Sequence, residues 1–321
     1  MGRGRAFARA LTGALWPVLL GAASDALPIA DARWLAPAGL YESLTREPAE
    51  CLAPPASEEA RRSVEVGRAA FHAPLLLGGQ AARAGLSCST CHRGGRANPA
   101  FLFPGLSGAP GTADVTSSFM SKIRGDDRFN PKPIPDLAAD PPKISRDPAT
   151  RDLEHFIHGL IVEEFDGPEP PPAVLAGLAA YVRGLSADAC PAEPFRPITL
   201  ASVLGDTDRA VAAAWDAAKQ GDREAYRLLV AAARSMLGRI DQRFDVGGLE
   251  RSRALLRRAD LGLERVRALP PAEAGPALEA WREDWRRRQG ALLREEPRSL
   301  FSPARLLERI GPHPAPESAR R

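Results

Sequence analysis

The chain has 321 residues, 44% of them hydrophobic, with 43 Lys and Arg against 40 Asp and Glu for a formal net charge of +3. That length and apolar content suffice for a substantial core and suggest about two domains. The near-balanced charge excludes a strongly basic nucleic-acid binder and names no partner.

Arg3, Arg5 and Arg9 precede a short apolar run from Leu11 to Leu20, followed by the small residues Gly21, Ala22 and Ala23. This is the layout of a secretory signal peptide over residues 1–26, with cleavage expected after Ala23 or Ala26. The run is too short to span a bilayer and carries Pro17, so no stable membrane span is expected after cleavage, and the mature chain is expected to be periplasmic. Residues 27–56 are rich in proline and alanine without a period and read as an irregular lead-in. At Ser57 the pattern changes to a capping residue, Glu58 and Glu59 in a first turn, then Val64, Gly67 and Phe71 on one helical face.

The stretch Leu86-Ser87-Cys88-Ser89-Thr90-Cys91-His92 carries the chemistry. Two thiols at i and i+3 on one helical turn reach the two vinyl groups on one porphyrin edge, and the adjacent imidazole faces the iron. The expected cofactor is one covalently attached haem c, held by Cys88 and Cys91, with His92 as an iron ligand. A zinc knuckle would need a second ligand pair, whereas Cys51 and Cys190 stand alone with no histidine beside them. A redox dithiol would sit in a βαβ pattern, and no strand-rich segment precedes Cys88. Outside the cytoplasm the two remaining cysteines can oxidise, and a remainder of two allows one pairing, Cys51 with Cys190.

Gly67-Arg68-Ala69-Ala70-Phe71 resembles the G-x-x-x-F of the first helix of class I cytochromes c, and Pro104-Gly105-Leu106-Ser107-Gly108 resembles their P-x-L-x-G segment. The resemblance implies that Gly67 lets the last helix of the haem domain cross closely, and that the Pro104 carbonyl accepts the His92 ring N–H, with Pro99 as runner-up. The leucine-rich stretch from Phe71 to Cys88 also resembles the bacterial cytochrome c peroxidase and methylamine-utilisation di-haem family. Those peroxidases carry two haem motifs and this chain has one, so their division of labour between two haems is not expected within it. Both resemblances cover roughly residues 57–186.

Residues 109–150 read as loop, with Asn130-Pro131-Lys132-Pro133-Ile134-Pro135-Asp136 extended by its prolines and able to wrap a haem edge. Helices are expected over 152–165 and 172–185, where Tyr181 resembles the aromatic that packs on the glycine and phenylalanine of the first helix. Residues 191–198 read as a linker. Beyond it, helical periods over 207–220, 222–244, 249–269 and 276–293, and a short final helix capped by Ser302-Pro303, predict an antiparallel bundle over 199–311, followed by a disordered tail, 312–321. Its Trp281 and Trp285 are expected in the core, Arg286-Arg287-Arg288 on a solvated face, and no chemistry is assigned to it.

The expected fold is all-α: a cytochrome c-like haem domain, 57–190, followed by that bundle. Function then turns on the sixth iron position. In class I cytochromes the methionine ligand lies in the loop before the last haem-domain helix, which here is Glu163-Glu164-Phe165-Asp166-Gly167, without a methionine. Met120 is the leading candidate, His155 and His158 are alternatives, and an open or water-bound iron is a third. The expectation is a periplasmic mono-haem electron carrier with an unidentified redox partner protein and no catalytic residue assigned. The alternatives are a peroxidase-related enzyme, with Glu163 or Glu164 as its acid-base group, and a haem-based sensor or assembly factor.

Overall fold

A computed structural model describes residues 27–117 and 119–311. The expected signal peptide, 1–26, and tail, 312–321, lie outside the described residues. Helices carry almost all of the regular structure, as the all-α reading expects. None of them, among the described residues, is long and apolar enough to cross a membrane.

The lead-in is more ordered than its composition suggests. Two 3-10 turns, Ala30–Trp34 and Pro37–Gly39, run into α1 (Leu40–Thr45) and then β1 (Arg46–Pro48). β1 pairs antiparallel with β4 (Phe195–Pro197), so the segment expected as a linker contains a strand. Prolines are tolerated in so short a ladder because both of its strands are edges. The Ala49 N–H extends the pairing to the Pro194 carbonyl at 2.9 Å, and the Cys51–Cys190 disulfide closes the same corner with its Cα atoms 4.0 Å apart. The expected disulfide is therefore present.

The first long helix, α2 (Glu58–Phe71), starts at Ser57, whose hydroxyl accepts from Ala60 N–H at 3.1 Å. Short helices α3 (Pro74–Leu77), α4 (Gly79–Ala84) and α5 (Cys88–Cys91) follow. A 3-10 turn, Arg93–Gly95, comes next, and the segment after it is loop except for β2 (Thr112–Ala113) pairing with β3 (Lys132–Pro133). α6 (Asp152–Gly159) runs on through a wider π turn, Leu160–Glu164, and α7 (Pro172–Gly184) crosses α2. At that crossing a Cβ on Gly67 would lie 1.9 Å from the Gly177 carbonyl oxygen, so the backbones meet only because both residues lack side chains. One turn further on, the Phe71 and Tyr181 rings pack edge-on at 5.1 Å, and the Tyr181 hydroxyl donates to Glu50 at 2.5 Å.

α8 (Leu200–Lys219), α9 (Arg223–Arg243), α10 (Glu250–Ala268) and α11 (Pro271–Glu295) form a four-helix bundle in which α8 touches α9 and α11 while α10 touches the same two. α8 begins seven residues before the expected start, because Thr199 and Ser202 cap each other reciprocally. α11 begins with Pro271 in its first turn and absorbs Pro276. Trp285 is fully buried, and Trp281 donates to the Ala259 carbonyl at 2.9 Å, as core residues do. α12 (Pro303–Ile310) ends at Gly311 as expected. The bundle is not a separate ball on a tether: α2 packs on α8 and α9, and one continuous apolar cluster runs from Cys51 through Trp285 to Phe301.

Candidate functional site

The C-x-x-C-H turn is built by local hydrogen bonds. The Ser87 N–H donates to the Thr90 hydroxyl at 3.0 Å, and the His92 N–H closes the turn on the Cys88 carbonyl at 2.8 Å. Asn98 braces it from the other side, donating its amide to the Thr90 carbonyl at 2.9 Å and its backbone N–H to the Cys91 carbonyl at 3.1 Å. The chain then reverses through Gly94 at φ +57°, where a Cβ would lie 2.3 Å from the Pro48 carbonyl oxygen.

Cys88 and Cys91 are both free thiols, packed against the apolar cluster that includes Phe71, Leu86 and Met120. Burial pushes each up to about 12. At neutral pH they are protonated, which suits neither a nucleophile nor an exposed redox dithiol. His92 is pushed down to about 4, chiefly by burial, while its contact with Pro135 works the other way. Its ring is neutral at pH 7.

The Nδ1 atom of His92 lies 3.0 Å from the Pro135 carbonyl oxygen. A carbonyl only accepts, so Nδ1 carries the proton and the lone pair sits on Nε2. Pro104 does not take this part and lies exposed on its loop. Pro135 occupies the position because Arg96 anchors the following residue, its guanidinium pairing with Asp136 at 2.7 Å, while Leu137 N–H reaches the Gly95 carbonyl at 3.1 Å. Arg146 ties the same loop to the end of α7 through the Leu137 and Leu185 carbonyls. Phe71 flanks the imidazole with ring centroids 6.4 Å apart.

Met120 is buried, and its segment docks on the turn before α7. The Ser121 hydroxyl donates to the Glu163 carbonyl, and the Lys122 N–H donates to the Asp166 carboxylate at 3.0 Å. Met120 is thus carried to the Glu163–Gly167 loop, which has no methionine of its own. Of the two histidines, His155 is exposed on α6, and Nε2 of His158 pairs with Glu169 at 2.9 Å. Glu163 pairs with Arg124 at 2.7 Å. Glu164 has a buried oxygen without a partner, and desolvation raises its carboxyl above the usual range.

Sequence reasoning did not single out Arg96, Asp136 or Arg146, whose roles arise from contacts between distant segments. The one available signal for Pro135 was the proline-spaced run that contains it. No family model matches this chain, and neither a curated protein nor a solved structure matches it.

Proposed function

We propose that this protein is a periplasmic c-type cytochrome with one haem, working in electron transfer. The observation that carries the reading is the oriented, neutral His92, whose Nδ1–H is held by the Pro135 carbonyl beside two free thiols on one helical turn. These residues fit a covalently attached haem. Protonated thiols at i and i+3 are the groups that add to vinyls, and the free Nε2 lone pair is an iron donor whose strength the Nδ1 hydrogen bond raises. When bound, haem supplies a one-electron iron couple. The chain's own residues hold it: Cys88 and Cys91 fix the porphyrin edge, His92 supplies the proximal nitrogen, and Pro135 keeps the ring from turning and its proton on Nδ1. The apolar cluster around the thiols excludes water.

For the sixth position the reading takes Met120, supported by its burial and by the docking of its segment on the loop before α7. A thioether there favours the reduced iron and leaves no open site. The reduced protein should therefore bind carbon monoxide poorly, and Met120→Ala should bind it readily and lose the weak near-infrared sulfur-to-iron absorbance. Strong carbon monoxide binding by the unaltered protein overturns the Met120 assignment.

A second reading, a peroxidase-related enzyme, is favoured by one observation: the buried, unpartnered carboxyl of Glu164, raised by desolvation towards the range useful to an acid-base group. Peroxide turnover that Glu164→Gln lowers by about 100-fold or more would establish it.

A further inference from the structure

A cavity of about 100 Å³ lies between the C-x-x-C-H turn and the bundle. Ser89, Thr90 and Arg93 line it from the turn, and Arg239 and Arg243 line it from α9. Cys88, Cys91 and His92 are not among its lining residues, so it is separate from the side of the turn that the haem reading uses.

The charges in this lining are unevenly committed. Asp31 pairs with Arg239 at 3.2 Å, Glu47 pairs with Arg196 at 2.7 Å, and Asp206 pairs with Arg209. Arg243 spends its two terminal nitrogens on the Leu300 and Leu44 carbonyls at 2.9 and 2.7 Å. Every lining carboxylate is therefore already matched. The guanidinium of Arg93 makes no direct hydrogen bond or ion pair with any described residue; desolvation and Arg239 oppose its charge, while Glu47 and Asp31 favour it from farther off. His72, which also lines the cavity, has a buried Nδ1 without a partner.

The two carboxylates nearest in charge to Arg93, Glu47 and Asp31, are each spent on another arginine, whereas a planar five-donor fork binds an oxyanion bidentately. The space exceeds the roughly 10–15 Å³ that one water needs. Water would solvate the fork without making the charge-assisted bidentate pair that an oxyanion makes with it. We propose that this cavity is a binding site for a small oxyanion the size of inorganic phosphate, with the Arg93 fork as its principal contact and Arg239 and Arg243 supplying the surrounding positive field. The site joins the lead-in, the C-x-x-C-H turn and the bundle around one ligand, and it does not depend on the haem reading.

The test is calorimetric titration of the full chain with inorganic phosphate at constant ionic strength, with chloride as control. One saturable site is expected, with at least tenfold weaker binding in Arg93→Gln. Val203→Phe fills the cavity from the α8 side without altering any charge, and it should also weaken binding at least tenfold. Arg287→Gln, on the exposed face of α11, should leave binding unchanged. If Arg93→Gln does not fold, Val203→Phe decides alone. The proposal is overturned if the unaltered chain shows no saturable phosphate binding, or if Val203→Phe binds as tightly as the unaltered chain.

Discussion

At His92 a single acceptor settles the tautomer: with the Pro135 carbonyl 3.0 Å from Nδ1, the ring can present only Nε2 outward. Another buried imidazole, His72, is pushed down to about 4, first by desolvation and then by Arg239, with Asp206 opposing and Arg68 and Arg196 adding to the depression. An unfolded histidine takes up its proton near pH 6.5, so between that value and about 4 the unfolded chain binds a proton that the folded chain refuses. Stability is then complete above about pH 6.5 and falls as the pH drops towards 4, by the order of 3 kcal/mol for this residue. Urea midpoints measured across that window should fall less steeply for His72→Gln than for the unaltered chain, and parallel profiles would show that His72 is not held neutral. The residue scale is also where sequence reasoning reached least far. The motif itself was legible because its spacing is local. The resemblance implies Pro104, with Pro99 as runner-up, because of its familiar spacing from His92, yet the proline that reaches the ring is 43 residues away. Its placement depends on the Arg96–Asp136 pair, which no local pattern announces.

Among the elements, those with their own caps and periods were readable in advance. α2 begins at its serine cap, α9 and α10 stand within a residue of where their apolar periods put them, and α12 stops at its glycine, whereas α8 and α11 start seven and five residues early. The lead-in was not readable, because β1 acquires its partner from a segment about 150 residues away and has no alternation of its own. The π turn after α6 was likewise hidden inside one continuous apolar period. The crossing of α2 and α7 offers a sharp contrast between two glycines. Gly67→Ala would drive a methyl into the Gly177 backbone, which cannot yield like a side chain, whereas Gly238 in α9 has nothing within 4 Å of its added Cβ. Gly67→Ala should destabilise by about 3 kcal/mol or more through forced separation of the helices. Gly238→Ala should stabilise by about 0.5–1 kcal/mol through helix propensity. Chemical unfolding of the two variants side by side checks both signs.

Across the whole molecule, the chain ends of the first unit are clamped twice at one corner, by the β1–β4 pair and by the Cys51–Cys190 bond, which closes a separation of 139 residues. Removing that bond in a Cys51→Ser, Cys190→Ser double variant should lower stability by about 2–5 kcal/mol, measured against the unaltered chain under the same oxidising conditions. Because one apolar cluster runs through both halves, that loss should appear as a single cooperative transition and not as release of one half alone. Denatured-state spectra would reveal two steps if the halves were independent. The same clamp holds the lead-in against Gly94, just past His92, and so links the overall architecture to the turn that bears Cys88 and Cys91. The account stands on what that turn carries. The most direct measurement is haem staining of the protein on a denaturing gel after expression with a c-type maturation system, beside the Cys88→Ala, Cys91→Ala double variant. Covalent haem predicts a stain that survives denaturation in the unaltered chain and vanishes in the variant; an unstained chain with both thiols open to alkylation, or a stain that persists without the two cysteines, would contradict it.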